Sequence, residues 1–302
     1  MLRFLVITAL FFGLIAEAQN ANPIESQVYY SVSTALASNK KATQLNLRDQ
    51  HLFNVPDQLE QLNELQFLNL MKNNLEQWDS SIFMLKSLQV LNVKQNAMKY
   101  IPKGIGKLEE LITVDMSANS ISNIPDEIQK LDKLRFLYLS LNSITALPEV
   151  IGECRKLEVL DLDNNQLSNL PKSISGLKQL KILHLGYNQF NEFDRQWAQL
   201  KSLEELNMEY NQLKEFPEEI GALKKLKIVI LNDNKLEHLP ESITQLQNLE
   251  LLLLSNNNIK KMPTAIKKLT KLKTLILIGN PLSAAEKDRI KKALPACKIY
   301  LD

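Results

Sequence analysis

Cysteine is nearly absent from this 302-residue chain, which carries only Cys154 and Cys297. Two thiols cannot build the disulfide framework of a cysteine-rich module, and no Cys-x-x-Cys pair marks a zinc or redox site. Histidine is almost as scarce: His51, His184 and His238 stand far apart in the sequence and offer no pair that could share a metal. A charge excess of either sign is also lacking. The 36 basic and 34 acidic side chains leave +2, so nothing draws the chain generally toward nucleic acid or an anionic membrane. Glycine contributes only 8 residues, and neither a phosphate-binding glycine loop nor a Gly-x-Ser-x-Gly elbow occurs. No apolar run is long enough for a comfortable membrane span. One shorter run, Phe4 to Ile15, follows Arg3 and precedes Ala16-Glu17-Ala18. It reads as a signal peptide over residues 1–18, with a small-x-small cleavage site. The expected location is therefore secreted, periplasmic or cell-surface, with a mature chain that starts near Gln19 and contains no membrane span.

What the chain has in abundance is one 23-residue period. Its first position is Ala42, then Leu65, Leu88, Leu111, Leu134, Leu157, Leu180, Leu203, Leu226 and Leu249, with a truncated unit at Leu272. A fixed period without insertions predicts an α/β repeat solenoid, in which each unit buries its apolar face against its neighbours. Within a unit, the third to seventh positions read as a short strand whose fourth and sixth residues point inward, such as Leu160 and Leu162. The ninth position is Asn73, Asn96, Asn119, Asn142, Asn165, Asn188, Asn211, Asn234, Asn257 and Asn280. A buried amide recurring where the chain leaves the strand must satisfy backbone groups there, which makes this ladder structural. The return segment carries Leu-Pro-x-x-Ile, as in Leu147-Pro148 with Ile151, and predicts a short helical turn opened by proline. Asp79 and Asp194 replace that proline in two units, where aspartate can cap the turn instead.

Both ends of a solenoid need closing. Asn22-Pro23-Ile24-Glu25, with Ile24, Val28, Val32 and Leu36 four apart, predicts an N-terminal helical cap over residues 19–41. Ten full units and a truncated one then fill residues 42–281. Ser283-Ala-Ala-Glu286 predicts a capped helix to about Leu294, and Lys298 to Leu301 alternates like a last strand, so residues 282–302 form the C-terminal cap. Capped at both ends, the chain is expected to be complete, with no room for a catalytic domain. Cys154 takes a repeat position that leucine fills elsewhere and should be a buried hydrophobe. Cys297 lies about six strands on, roughly 30 Å away at about 4.8 Å per strand, far beyond disulfide reach. Two free thiols are expected.

With ten copies of Leu-x-x-Leu-x-Leu-x-x-Asn-x-Leu-x-x-Leu-Pro-x-x-Ile, the chain resembles leucine-rich repeat proteins, especially exported bacterial ones with Pro-Ile repeats. It lacks the disulfide-bonded caps usual in eukaryotic extracellular members, and it has no Asn-x-Ser/Thr sequon. The resemblance implies a horseshoe with a parallel concave sheet that binds a protein or other macromolecule. With no catalytic or cofactor motif among the residues, neither catalysis nor a cofactor is expected. Similar Pro-Ile repeats occur in intracellular scaffolds that bind small GTPases, a role the signal peptide argues against.

The outward positions of the strands vary where the core does not, and they locate the candidate sites. Phe136, Tyr138, Asp161, Asp163, His184, Tyr187, Glu205, Glu209 and Tyr210 form the candidate partner-binding surface, since aromatic side chains edged with polar groups suit interfaces. His184 follows Asp161 one strand later in the same column, which places their Cβ atoms about 5 Å apart. A carboxylate–imidazole group can hold a divalent metal, but a solvated polar face is the commoner use of such a group, and no metal is expected. Ile228, Ile230, Leu251, Leu253, Ile276 and Ile278 read as an outward apolar patch, a second candidate interface for a partner or weak self-association. The alternative to a binding protein is thus a structural or self-assembling envelope protein that uses this patch.

Overall fold

A computed structural model of the protein describes residues 26–38 and 41–302. The signal-peptide reading and the cap at Asn22 to Glu25 lie outside the described residues. Thirteen strands form one open sheet in strict chain order. The first four are β1 (Val28–Tyr29), β2 (Gln44–Asn46), β3 (Phe67–Asn69) and β4 (Val90–Asn92). The central five are β5 (Thr113–Asp115), β6 (Phe136–Tyr138), β7 (Val159–Asp161), β8 (Ile182–His184) and β9 (Glu205–Asn207). The last four are β10 (Ile228–Ile230), β11 (Leu251–Leu253), β12 (Thr274–Ile276) and β13 (Lys298–Tyr300). All pairings are parallel, and the 23-residue period becomes the register: Val159 faces Ile182, and Ile182 faces Glu205. A column of outward side chains is therefore a column of equivalent repeat positions.

Leucine at the fourth and sixth positions makes the strand side of the core. Leu160, Leu162, Leu183 and Leu185 are fully buried. The other side is made by the return segments, which are 3₁₀ turns such as Glu149–Glu153 and Lys172–Gly176. A unit of this length leaves room for one tight turn, which reaches further per residue than an α-helix. Proline sits one step earlier than the sequence pattern suggests. Pro148 is the extended residue before the turn, with φ −69° and ψ 147°, and its carbonyl accepts the Ile151 N–H at 3.0 Å. Where proline is missing, aspartate does cap the turn: Asp79 accepts from the Ser81 N–H and Asp194 from the Gln196 N–H, both at 2.8 Å.

The asparagine ladder joins consecutive units. Asn165 accepts the Ile144 N–H at 3.0 Å through Oδ1. Its Nδ2 donates to the carbonyls of Leu139 in the preceding unit and Leu162 in its own, each at 3.0 Å.

At the N-terminal end the four-residue spacing misleads. Val28 lies in β1, which pairs with β2, and only Val32–Ala37 is helical (α1), capped by Ser31 through the Thr34 N–H. A helix-capping serine in the middle of the expected helix breaks it there. Ser283 caps α2 (Ala284–Ala293), and β13 closes the sheet. Among the described residues, no helix is long and apolar enough to cross a membrane.

Both cysteines are free. Burial, then the charges of Asp132 and Glu153, pushes the Cys154 thiol up to about 12, and burial lifts Cys297 to about 11. Since the thiolate is the nucleophile, iodoacetamide at pH 8 should leave Cys154 unmodified in the folded protein and modify both cysteines in guanidinium. Mass spectrometry of the two samples checks this.

Candidate functional site

Register alone brings the central residues together. The third-position column runs Phe136, Val159, Ile182, Glu205, and the fifth-position column Tyr138, Asp161, His184, Asn207. By the same count the seventh-position column runs Ser140, Asp163, Gly186, Glu209. From β5 to β9 these columns hold five carboxylates, Asp115, Asp161, Asp163, Glu205 and Glu209, with one histidine and no lysine or arginine.

The cluster is buried further than a solvated polar face. His184 and Glu205 are 8% and 6% exposed, and the imidazole Nε2 lies 2.9 Å from Glu205 Oε1. Two aspartates stand close by: one ligand-type atom each from Asp161, Asp163 and His184 lies within 4.8 Å of the other two. Asp163 accepts the Gly186 N–H through Oδ1 at 2.6 Å, and Asn207 Nδ2 donates to its Oδ2 at 3.3 Å. Burial drives the Asp163 carboxyl well above the usual range despite the neighbouring imidazole, and it also raises Asp115 and Glu209. For His184, burial alone would depress the imidazole, but the Glu205 hydrogen bond and the charges of Asp163 and Asp161 overcome it and lift it to about 9. At neutral pH the imidazole is thus held as a cation among more numerous carboxylates.

Gly186 shapes the floor between them. A Cβ there would stand 3.0 Å from Asn207 Nδ2, 3.1 Å from Asp163 Oδ1 and 3.3 Å from Glu209 Cγ, so the missing side chain keeps a recess between Asp163 and Glu209. Gly186, Asn207 and Asp115 were not singled out from the sequence. The signal for them was present, because each occupies an outward column beside a residue that was.

Beside the recess stand Tyr187 and Tyr210. Both are at the eighth position, which is left-handed in every unit from Asp49 to Gly279, and their φ angles are 53° and 50°. A bulky residue is uncommon there. The two rings stack at 4.2 Å with 16° between planes and remain exposed, at 42% and 46%. Burial, then the Glu209 charge, pushes the Tyr187 hydroxyl up to about 12. Tyr138 and Phe136 are half-buried in the sheet face, and Arg135 lies over the Phe136 ring at 5.0 Å.

The apolar columns further along do not form the exposed patch that alternation implies. Ile230 and Leu253 are only 3% and 1% exposed, and Ile228, Leu251, Ile276 and Ile278 are half-buried. Branched side chains stacked one strand apart cover one another, so outward direction does not mean exposure.

Residues 43–137, 119–228 and 206–293 match a family model described as a leucine-rich repeat region. Among solved structures the chain is similar to a leucine-rich repeat protein of Leptospira interrogans, at 29% identity over 90% of this chain and 99% of that one, with a TM-score of 0.40. It is similar to the functional domain of InlJ from Listeria monocytogenes, at 22% identity over 88% and 55%, with a TM-score of 0.73. A third likeness is to the Arabidopsis receptor kinase HAESA, solved in complex with the peptide hormone IDA and the co-receptor SERK1, at 28% identity over 74% and 39%, with a TM-score of 0.65. The chain therefore spans 55% of the InlJ domain and 39% of HAESA. No curated protein gives a significant match.

Proposed function

We propose that this chain, which belongs to the leucine-rich repeat family, is an exported binding protein whose central concave face recognises a protein partner. The observation that carries the reading is the run of side chains from β6 to β9. Carboxylates, a buried imidazole and two stacked tyrosines come together there with no lysine or arginine in the strand columns, whereas those columns carry Arg48 and Lys94 nearer the N-terminus, and the core beneath stays apolar throughout. Stacked, exposed tyrosines are low-entropy anchors for a partner surface, and a stretch where carboxylates outnumber the single imidazole steers and selects a basic one. HAESA, bound to a peptide hormone in its solved complex, supports a peptide or protein as the ligand class. Export rests on Arg3, the run from Phe4 to Ile15 and Ala16-Glu17-Ala18. N-terminal sequencing of the protein from its producing cells should begin at Gln19.

Pull-down from host and envelope extracts with the mature protein tests the site. A partner captured by the wild type should be lost at least tenfold with Glu209→Lys and with the double variant Tyr187→Ser/Tyr210→Ser. It should be kept with Lys224→Glu, which lies on the convex side. Equal capture by all four proteins would overturn the assignment of the central face.

A further inference from the structure

We propose that Asp161, Asp163 and His184 hold one divalent metal ion of the zinc or manganese class on the concave face, with Glu205 positioning the imidazole. The argument starts from a comparison within the chain. Asp161 Oδ1 accepts the Asp163 N–H at 3.1 Å. Asn46, Asn69, Asn92 and Asn207 make the same bond to the residue two further on in their own units, at 2.9–3.1 Å. Asp163 accepts the seventh-position N–H of the next unit, and Asn232 does the same for Ser255 at 2.9 Å. Asparagine therefore fills both backbone roles without charge. The backbone bonds alone thus do not require carboxylates at these two positions, although Asp115 makes the first kind as well, accepting the Ser117 N–H at 3.0 Å.

The two carboxylates stand beside the one histidine on the concave columns. Glu205 Oε1 lies 2.9 Å from the imidazole Nε2, an outer carboxylate of the kind that orients a metal-binding histidine, and the metal would bind by displacing an imidazole proton. The aspartates are held in turn by Gly186 N–H and Asn207 Nδ2. Ligand atoms about 2.1 Å from one ion stand roughly 3–4 Å apart, so three atoms within 4.8 Å of one another need draw in by only about 1 Å. Two carboxylate oxygens and one imidazole nitrogen favour zinc or manganese over calcium, which prefers an all-oxygen shell. Gly186 places no side chain against Asp163 Oδ1, and water or a partner's oxygen would complete the shell.

Isothermal titration of the full-length mature protein with Zn²⁺, Mn²⁺ and Ca²⁺ tests this. The expected result is one equivalent of Zn²⁺ or Mn²⁺ bound more tightly than Ca²⁺, with affinity falling at least a hundredfold in Asp163→Asn and in His184→Gln. Asp161→Asn should lose affinity while keeping the wild-type melting temperature, because asparagine supports the same turn in four other units. Glu205→Gln should weaken binding by about 10–100-fold and shift the His184 ring resonances of the metal-free protein. Stoichiometry unchanged in Asp161→Asn/Asp163→Asn/His184→Gln would place the ion elsewhere and overturn the proposal, as would the absence of binding to the wild type. Partner capture is read through Glu209, Tyr187 and Tyr210, so a failure here leaves that test standing.

Discussion

Replacing Asn188 with alanine should destabilise the protein by about 3–5 kcal/mol, far more than an ordinary surface substitution. Asn188 is buried, and its Oδ1 accepts the Leu167 N–H at 2.9 Å. Leu167 is fully buried, so that N–H loses its partner in a place water does not reach, at about 1–3 kcal/mol. Nδ2 donates to Leu162 O, Leu185 O and Gly186 O at 2.9, 3.2 and 3.0 Å. Those carbonyls are better protected. Leu162 O keeps Asn165 Nδ2, Leu185 O keeps Asn211 Nδ2, and Gly186 O keeps the Asn164 N–H. Their loss is about 1 kcal/mol for each net bond, and the vacated volume adds to it. Asn188→Asp separates the terms. The acceptor for Leu167 survives, but a buried carboxylate then faces three carbonyl oxygens, so this variant should also be destabilised at pH 7. It should regain part of the loss near pH 4, where a protonated carboxyl can donate. Urea denaturation of the three proteins, with the exposed Asn63→Ala as a control within about 0.5 kcal/mol, reads these differences. Equal stability of Asn188→Ala and wild type would refute the ladder as a structural device. The break falls in mid-solenoid, where each unit is held chiefly by its two neighbours. A lower urea slope should therefore accompany the loss, as the two arms uncouple.

The ladder was legible in the sequence because it repeats: ten asparagines at one position leave no other account. The same regularity puts His184 one strand after Asp161 in the same column. What the register could not supply was diagonal contact and depth. Glu205 reaches His184 from a different column, a contact that depends on rotamers and not on spacing. Gly186 went unnoticed because its contribution is a missing side chain. Ile230 and Leu253 were misjudged for the converse reason. Alternation tells which way a side chain leaves the strand, while burial depends on the bulk of the residues one strand away. At the N-terminal end, Val28 and Val32 satisfy a helical spacing, but Ser31 between them is the stronger local signal, since its hydroxyl competes for the backbone N–H groups that start a helix.

Glu286→Ala should uncap the C-terminal end, costing about 3–5 kcal/mol and converting the protein into one that self-associates. Glu286 is only 8% exposed, and its carboxylate accepts the Met262 N–H at 2.8 Å and both Arg289 Nε and Nη2 at 2.7 Å. Arg289 Nη2 also donates to Met262 O at 2.8 Å. One bidentate pair thus pins α2 to the last return segment, and alanine leaves a buried N–H and a half-buried guanidinium without it. The Arg289 hydrogen bonds hold the Glu286 carboxyl below its ordinary range, opposed by burial and helped by the Met262 N–H. A carboxyl lowered in the folded state stabilises it above its unfolded value, and that contribution disappears as the pH falls through the folded value. The wild type should therefore lose its advantage over Glu286→Ala in strongly acidic solution, although at pH 7 the gap is full. Release of α2 would uncover Ile290 and Leu294, which are buried with the last unit, and would free the end of the sheet that β13 closes. The stacked aliphatic columns from Ile228 to Ile278, covered by one another in the intact protein, would then end at an open edge that pairs readily with another chain. Light scattering across a concentration series should show Glu286→Ala growing in size where the wild type does not. A wild type that self-associates to the same extent would instead show that the aliphatic columns are adhesive with the cap in place.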